Sequence, residues 1–529
     1  MSSSAIPENP AKSRIGLILL CLCLWLPGFF TLPPTDRDES RFAQATKQML
    51  ETGDYVRIMN GTTPRNRKPI GIYWAQVPFA AAARALGIAR ANPIWPYRIP
   101  SLLGALLAVL AVAEGGALLV GRKRAFTAAA WFASCLLLVS EAHIAKTDAA
   151  LVGVTTVAML LLARAFLTPE RTTRAQAAWF WVALAAGILL KGPITPMVAG
   201  LTIVCLGFWT RSWSWLRALR PISGAVILLL LVLPWLIAIE LATKGAFLSQ
   251  SVGGDLAGKL SGSDDAHGMP FGTYLALLPL LAFPAAIPLL RGLPGLWQQR
   301  NSDEGKFLIA WLLPAWLVFE IVHTKLPHYT LPIYPALFLL AARADTAALP
   351  RWGRALTMGL ALLAGIALAC TVLAAPWLLH GVWWSGVPAA LAILAACVLM
   401  ATGRQNGAIW AMPFVMFALL QIELPRVPAL SVSSRVNAAL IADGLSNAPL
   451  ASTGYNEPSL MFLAGTNTAS FHNGATLAVW LRQTPGGVAL VESRELPGFL
   501  QADPGAVKRN EVDGYDYSNG KWVKLAVYR

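Results

Sequence analysis

The segment from Asp36 to Arg41 places three carboxylates and two guanidinium groups within six residues, and a second cationic run, Arg65-Asn66-Arg67-Lys68-Pro69, follows it. Asp38 is the carboxylate best placed to take a proton or steady a developing cation. In the first turn of a helix the amide dipoles favour its anion, and Arg41 shares its face at helical spacing. Glu39 is a further candidate contact to an acceptor or a phosphate. Arg41, Arg67 and Lys68 are residues that grip phosphates through charge-assisted hydrogen bonds. Each has a plainer reading: acidic residues commonly cap helix starts, and cations beside a bilayer often meet anionic headgroups without doing chemistry.

Further along, Lys146-Thr147-Asp148 offers a second carboxylate and cation, with a helix-boundary charge as the bland alternative. Lys191, in Leu190-Lys191-Gly192-Pro193, interrupts two apolar runs and either snorkels or contacts a phosphate. The stretch His323 to Pro335 packs two histidines, a lysine and two tyrosines into one proline-shaped turn, with Lys325 and Tyr329 the candidate phosphate contacts. His267 beside Asp264 and Asp265 has metal-ligand chemistry, but no HExxH or similar spacing supports zinc, and a loop histidine without a metal is the simpler reading. His143, His380 and His472 show no constellation. No GxGxxG, P-loop or GxSxG arrangement occurs in context, which argues against nucleotide-driven transport and serine hydrolysis.

The elements that must hold these residues are written in the composition. Of 529 residues, 56% are hydrophobic and 13% charged, against roughly 45–50% and 25% in soluble domains. A soluble enzyme is excluded as the starting point. The net charge of +15 is spread between apolar runs of membrane-spanning length, so it reads as topology and not as a nucleic-acid surface. All six cysteines lie inside those runs and carry neither a zinc nor a disulfide pattern. Hydropathy predicts about 13 transmembrane helices, near 15–33, 97–120, 124–141, 149–167, 176–190, 193–209, 221–242, 271–290, 306–322, 328–343, 354–376, 382–402 and 407–424. The first follows Lys12 and Arg14 without a small-residue cleavage site, so it is read as a retained span.

The apolar stretch 70–89 is read as a surface or re-entrant helix, because a crossing there would move the Arg122-Lys123-Arg124 cluster to the side opposite Lys12 and Arg14. With it lying flat, the arginine-rich loops share one side, which the positive-inside rule makes cytoplasmic. The other side then collects residues 34–96, the corner at Glu141 to Asp148, the 243–270 loop and the turn at His323 to Tyr329. There the helix predicted between Asp36 and Gly53 carries an apolar stripe of Phe42, Ala45, Met49 and Leu50 and is expected to lie on the bilayer. Residues 1–430 form the membrane domain, with 34–96 its first outer loop. Residues 431–529 are much less hydrophobic, with strand-like runs at 488–491 and 522–528 and helical patterning near 435–445, and are read as a small α/β domain on the outer side.

The ordered series Asp38-Glu39-Ser40-Arg41-Phe42, Glu51-Thr52-Gly53-Asp54-Tyr55, Arg67-Lys68-Pro69-Ile70-Gly71-Ile72-Tyr73-Trp74, Lys146-Thr147-Asp148, Leu190-Lys191-Gly192 and Thr324 to Pro332 resembles the C-type polytopic membrane glycosyltransferases. The similar branch holds the lipid A aminoarabinose transferases and the protein O-mannosyltransferases. The resemblance implies an all-α polytopic fold with two juxtamembrane helices in the first outer loop and a soluble periplasmic C-terminal domain. It also implies transfer of a sugar from a polyprenyl phosphate carrier to a lipid A, lipopolysaccharide or other envelope acceptor, at the outer face of a bacterial inner membrane. On it, Asp38 matches the catalytic aspartate, Asp148 a second aspartate, and Lys68 and Tyr329 the phosphate contacts. Where the aminoarabinose transferases carry a glutamate associated with a metal-site histidine, this chain has Arg67. His267 would lack that partner, so a divalent-metal site is incomplete and no cofactor is assigned. Phe42 replaces a frequent tyrosine.

The mechanism expected is single displacement at the anomeric carbon, with Asp38 accepting the acceptor's hydroxyl proton while Lys68, Arg41 and Tyr329 stabilise the departing phosphate. Lys325 is grouped with the phosphate contacts, and Glu39, Arg67, Lys191 and His267 are candidate acceptor or phosphate contacts. The expected partners are a polyprenyl phosphate sugar, an envelope lipid or glycan, and membrane lipids, with no nucleic acid. Two rival readings are a transporter or flippase of lipid-linked solutes, which predicts charges at mid-membrane depth, and a membrane scaffold, for which the first-loop charges would matter little.

Overall fold

A computed structural model describes residues 10–35, 37–88, 92–256, 268–344 and 349–529. Apolar segments that must satisfy their own backbone form helices, and helices fill most of the chain up to Ala442. Among the described residues, six are long and apolar enough to cross a bilayer unbroken: Trp95–Val120, Asp148–Leu167, Pro221–Thr243, Arg351–Leu378, Trp383–Ala401 and Gln405–Arg426. The pair Arg122–Ser134 and Leu136–Ala142 forms another, bent by 63°, and Ser13–Trp25 and Ile194–Thr210 are apolar but shorter. The 13 hydropathy segments are thus not 13 straight rods. The run read at 271–290 is two helices, Thr273–Leu281 and Ala286–Gly292, parted around Pro284, whose ring nitrogen has no hydrogen to continue the ladder. The run read at 328–343 starts as a tight turn, Pro327–Ile333, before the helix Tyr334–Arg343.

Two sets of polar contacts mark the two ends of this bundle. At one end Arg14 donates to Glu114 at 2.8 Å, and Arg343 donates to the Leu119 carbonyl at 2.6 Å and to Ser302 Oγ at 2.8 Å. At the other end Arg98, 1% exposed, bridges the start of the helix Trp95–Gly115 to Glu39 in the first loop. The helix Gly71–Ala85 begins against the Leu189 carbonyl, and near its far end Arg84 donates to the Lys47 carbonyl at 3.2 Å. Both its ends therefore lie with the Glu39 end of the bundle, the arrangement expected of a helix that does not cross.

The first-loop helix, Arg37–Thr52, buries Phe42, Ala45 and Met49 as its stripe predicts, and Gly53, at φ +73°, ends it. It does not rest on a bilayer by one face alone. Ser40, Gln44, Thr46 and Lys47 are buried as well, because the C-terminal region covers the polar side. Lys47 donates to the Phe462 carbonyl at 3.0 Å and Gln44 to Thr466 Oγ1 at 2.9 Å. Asp36, expected to help start this helix, lies outside the described residues.

Residues 432–528 form a five-stranded sheet with helices on both faces, the α/β unit expected. Its order is Ala469–Phe471, Leu450–Thr453, Val488–Glu492, Lys521–Tyr528, Lys508–Asp516. The first three strands run parallel and the last two pair antiparallel. Alternation along Leu450–Thr453 and Val488–Glu492 splits the core: Leu450, Val488 and Leu490 meet Val436, Leu440 and Leu460, whereas Ala451, Ala489 and Val491 meet Leu477, Ala478 and Phe499. The cysteines Cys21, Cys23, Cys135, Cys205, Cys370 and Cys397 are all free thiols.

Candidate active site

Three tight backbone approaches bring the site together. A Cβ on Gly104 would lie 2.4 Å from Ala150 Cα, and one on Gly153 would lie 2.6 Å from the Gly104 carbonyl oxygen, so these glycines seat the helix Asp148–Leu167 on the helix carrying Arg98. A Cβ on Gly71 would lie 2.6 Å from the Leu189 carbonyl oxygen. That contact sets Lys68 and Pro69 beside the Leu190-Lys191-Gly192 corner. Ser101 donates to the Lys146 carbonyl at 3.0 Å and fixes the approach to Asp148.

Asp38 is half-exposed. Its Oδ1 accepts from Arg41 Nη1 at 3.0 Å and from Arg65 Nη2 at 3.4 Å. Burial alone would raise its pKa, but the guanidinium groups of Arg65 and Arg41, with Lys146 further off, outweigh that and hold the carboxyl below the usual carboxylate range. Arg65 in turn lies 4.5 Å over the Phe42 ring.

Asp148 heads its helix at 3% exposure and is ion-paired to Lys191. His328 Nε2 lies 3.9 Å from Asp148 Oδ2 and His328 Nδ1 lies 3.6 Å from Glu141 Oε1. Lys191 Nζ also sits 5.1 Å from the centre of the Tyr329 ring. Arg67, Lys68, Asp148, Lys191, His328 and Tyr329 line one end of a cavity of about 540 Å³. Its remaining wall is apolar, supplied by Ile194, Met197, Trp235, Leu236, Phe247 and Phe319 among others.

The structure redistributes several of the predicted residues. Asp148, Lys68, Tyr329, Arg67 and Lys191 line the cavity together. Arg41 does not line it; it pairs with Asp38 and lines a second cavity. Glu39 is committed to the fold and lines neither cavity. It is 0% exposed, and its oxygens accept from Arg98 at 2.7 and 3.1 Å, from the Ala145 amide at 2.9 Å and from the Thr35 amide at 3.0 Å. Lys325 does not line the cavity either; its ammonium donates to the carbonyls of Met269 at 2.9 Å and Val322 at 2.8 Å. His267 lies outside the described residues. Among the described residues no group of three or more His, Cys, Asp or Glu side chains is placed to hold a metal. Arg67 has no lone pair to offer a cation, so it cannot stand in for the metal-associated glutamate that the resemblance would imply.

Sequence reasoning assigned no site role to Arg65, Glu141 or His328. Arg65 was signalled by its cationic run. Glu141, a carboxylate seven residues before Asp148 at the end of an apolar segment, carried the signal of any intramembrane charge.

A helical bundle with a small sheet domain covering paired carboxylates and cations is a fold that this chain shares with solved structures of ArnT and of an oligosaccharyltransferase. Residues 35–246 match the family described as dolichyl-phosphate-mannose-protein mannosyltransferase. The crystal structure of ArnT from Cupriavidus metallidurans bound to undecaprenyl phosphate superposes with a TM-score of 0.73 over 98% of both chains, at 18% identity. An Archaeoglobus fulgidus oligosaccharyltransferase in the apo form gives 0.54 over 98% of this chain and 75% of its own, at 10% identity. By sequence, the undecaprenyl phosphate-alpha-4-amino-4-deoxy-L-arabinose arabinosyl transferase of Pseudomonas paraeruginosa is 28% identical over 364 residues, 67% of this chain and 62% of its own length. Transferase 1 of the same description from Pseudomonas fluorescens is 28% identical over 323 residues, 60% and 55%. The match thus spans less than two thirds of the length of these relatives.

Proposed function

We propose that this protein is a multi-pass glycosyltransferase of the bacterial inner membrane that moves a sugar from a polyprenyl phosphate carrier to a lipid or glycan acceptor at the periplasmic face. The observation that carries this reading is the shape and chemistry of the 540 Å³ cavity: apolar for most of its wall, with Arg67, Lys68, Lys191, His328 and Tyr329 gathered at one end. An isoprenoid chain suits the first part and a phosphate the second. Charges gathered at one end, and not strung through mid-depth, favour chemistry at a surface over transport across it.

In the displacement, an acceptor oxygen attacks the anomeric carbon as the bond from that carbon to the phosphate oxygen breaks, and the polyprenyl phosphate leaves with the electron pair. Lys68, Arg67 and Tyr329 stabilise the charge that develops on the leaving phosphate. Asp38, held as an anion by Arg41 and Arg65, takes the acceptor's hydroxyl proton. Asp148 is a positioning residue that holds Lys191 toward the cavity and faces His328.

The curated relatives are named for 4-amino-4-deoxy-L-arabinose. The cations at this cavity's end, with Asp148 already paired to Lys191, support a donor sugar without a positive charge. The test is release of radiolabelled sugar from a panel of undecaprenyl phosphate sugars by the protein in proteoliposomes, comparing neutral, acidic and amino sugars. Transfer by the wild type that Asp38→Asn abolishes supports the reading; no transfer from any donor overturns it.

A further inference from the structure

We propose that the hairpin joining Lys508–Asp516 to Lys521–Tyr528 is a membrane-interface anchor, in which Trp522 continues an aromatic band of the spanning helices into the C-terminal domain and docks in the phospholipid headgroup layer. The inference stands apart from the glycosyl-transfer reading, because it rests on exposure and depth alone. Large aromatic side chains crowd one corner of the molecule: Trp377 is 72% exposed, Trp383 71%, and Trp384 and Trp522 43% each. An indole, with an apolar body and a single N–H, favours the boundary between hydrocarbon and water.

The spanning helices fix the depth of that boundary. Trp377 lies at the end of the span Arg351–Leu378 and Trp383 at the start of the span Trp383–Ala401, so the short link between them emerges where the hydrocarbon stops. That link belongs to the Glu39 end of the bundle: the Val382 amide donates to the Arg426 carbonyl at 3.1 Å, and Pro34 shares a small recess with Leu430 and Tyr517. His380, in the link, stacks on Trp522 with ring centres 4.7 Å apart and planes 27° from parallel. The headgroup layer on each side of a bilayer is roughly 5–8 Å thick. A displacement of 4.7 Å therefore leaves Trp522 in that layer or at its edge.

The register of the hairpin turns the right face outward. Val523 and Leu525 pack into the domain core with Val436 and Leu440, which leaves Trp522 and Lys524 on the opposite face, with Trp522 edge-on to Tyr515 and ring centres 5.8 Å apart. Arg426, 5.4 Å from the centre of the Trp384 ring, and Lys521 beside Trp522 are cations of the kind that pair with headgroup phosphates. The grip on the hairpin reaches the first loop. Ser518, in the hairpin turn, donates to Glu457 at 3.1 Å, and Glu457 lies 3.6 Å from Arg37, which starts the first-loop helix. The bilayer thereby holds the sheet against that helix.

The test places a fluorescent amino acid, acridonylalanine, in place of Lys521 in the full-length protein, held in nanodiscs of zwitterionic phospholipids that do not repel iodide. The expected result is stronger quenching by phospholipids brominated near the headgroup end of the acyl chain than by aqueous iodide. Hydrogen exchange of the unlabelled protein is the second measurement. Trp522→Ser should speed exchange of the amides of residues 512–525 by about tenfold or more, while those of Leu450–Thr453 in the same sheet hold. Should that variant fail to fold, His380→Asn unseats the ring instead, since asparagine tolerates the φ of +54° at that position. Quenching by iodide with none from the lipid, or folded variants that exchange as the wild type does, overturns the proposal. Protection from both quenchers that vanishes in discs holding a single copy assigns the face to a second copy of this chain and overturns it as well.

Discussion

Replacing Arg98 by Met tests the joint on which the site is built. Arg98 is 1% exposed, and its guanidinium makes five hydrogen bonds: two to Glu39 at 2.7 and 3.1 Å, and one each to the carbonyls of Phe29 at 3.2 Å, Leu32 at 3.0 Å and Pro33 at 2.9 Å. Removing one member of a buried pair leaves the other charge uncompensated and costs about 3–5 kcal/mol. The Arg98→Met variant should lose that much. The two amides that remain on Glu39, from Thr35 and Ala145, offset only part of the loss. Removing the carboxylate too, in Glu39→Leu with Arg98→Met, should recover at least ~1 kcal/mol relative to Arg98→Met, because a well-packed apolar replacement of a buried pair is often neutral or better. The assay is reversible unfolding in mixed detergent micelles, read by tryptophan fluorescence. The reasoning is refuted if Arg98→Met stays within ~1 kcal/mol of the wild type, or if the double variant is less stable than Arg98→Met. Transfer activity should fall with Arg98→Met, since the helix that carries Asp38 is held by this joint.

Asp38→Asn should behave in the opposite way: stability unchanged within ~1 kcal/mol, as expected for half-exposed pairs, with transfer reduced about 10²–10⁴-fold, and near-wild-type turnover would contradict the base assignment. Because Arg65 and Arg41 depress the Asp38 pKa, the carboxylate stays ionised to lower pH than an ordinary aspartate does. Its stabilising pairs are present above the unfolded value and lost as pH drops through the lower folded one. The acid limb of the transfer–pH profile should therefore lie below the ordinary carboxylate range in the wild type and move up in Arg41→Gln/Arg65→Gln; an unmoved limb would show that those arginines do not set it. Lys325→Met should lower stability by about 1–3 kcal/mol through its orphaned carbonyls and leave the donor KM unchanged in proteoliposomes, whereas a raised donor KM would restore Lys325 as a phosphate contact.

Particular residues show how far the sequence could be read. The stripe of Phe42, Ala45 and Met49 and the stop at Gly53 were legible because periodicity and glycine are local properties. The structural bonds of Glu39 and Lys325 were not legible, for one shared reason. In sequence a buried structural charge and a ligand-binding charge look alike, and what separates them is whether another part of the chain arrives to satisfy them. For Glu39 that part is Arg98, 59 positions away; for Lys325 it includes the carbonyl of Met269. The polar face of the first-loop helix was misjudged in the same way, because Phe462 and Thr466 cover it from more than 400 residues downstream.

By itself the sequence determined the solvent. With so few charges and so many apolar runs, the chain had to become membrane-embedded helices with their polar residues gathered at the ends, and the ordered motifs already carried the identity of the carboxylates and cations at one end. Tertiary structure decided which of those charges face a cavity and which are consumed in holding it open. That choice depends on desolvation and on partners distant in the chain, quantities that exist only after the helices and the C-terminal sheet have packed.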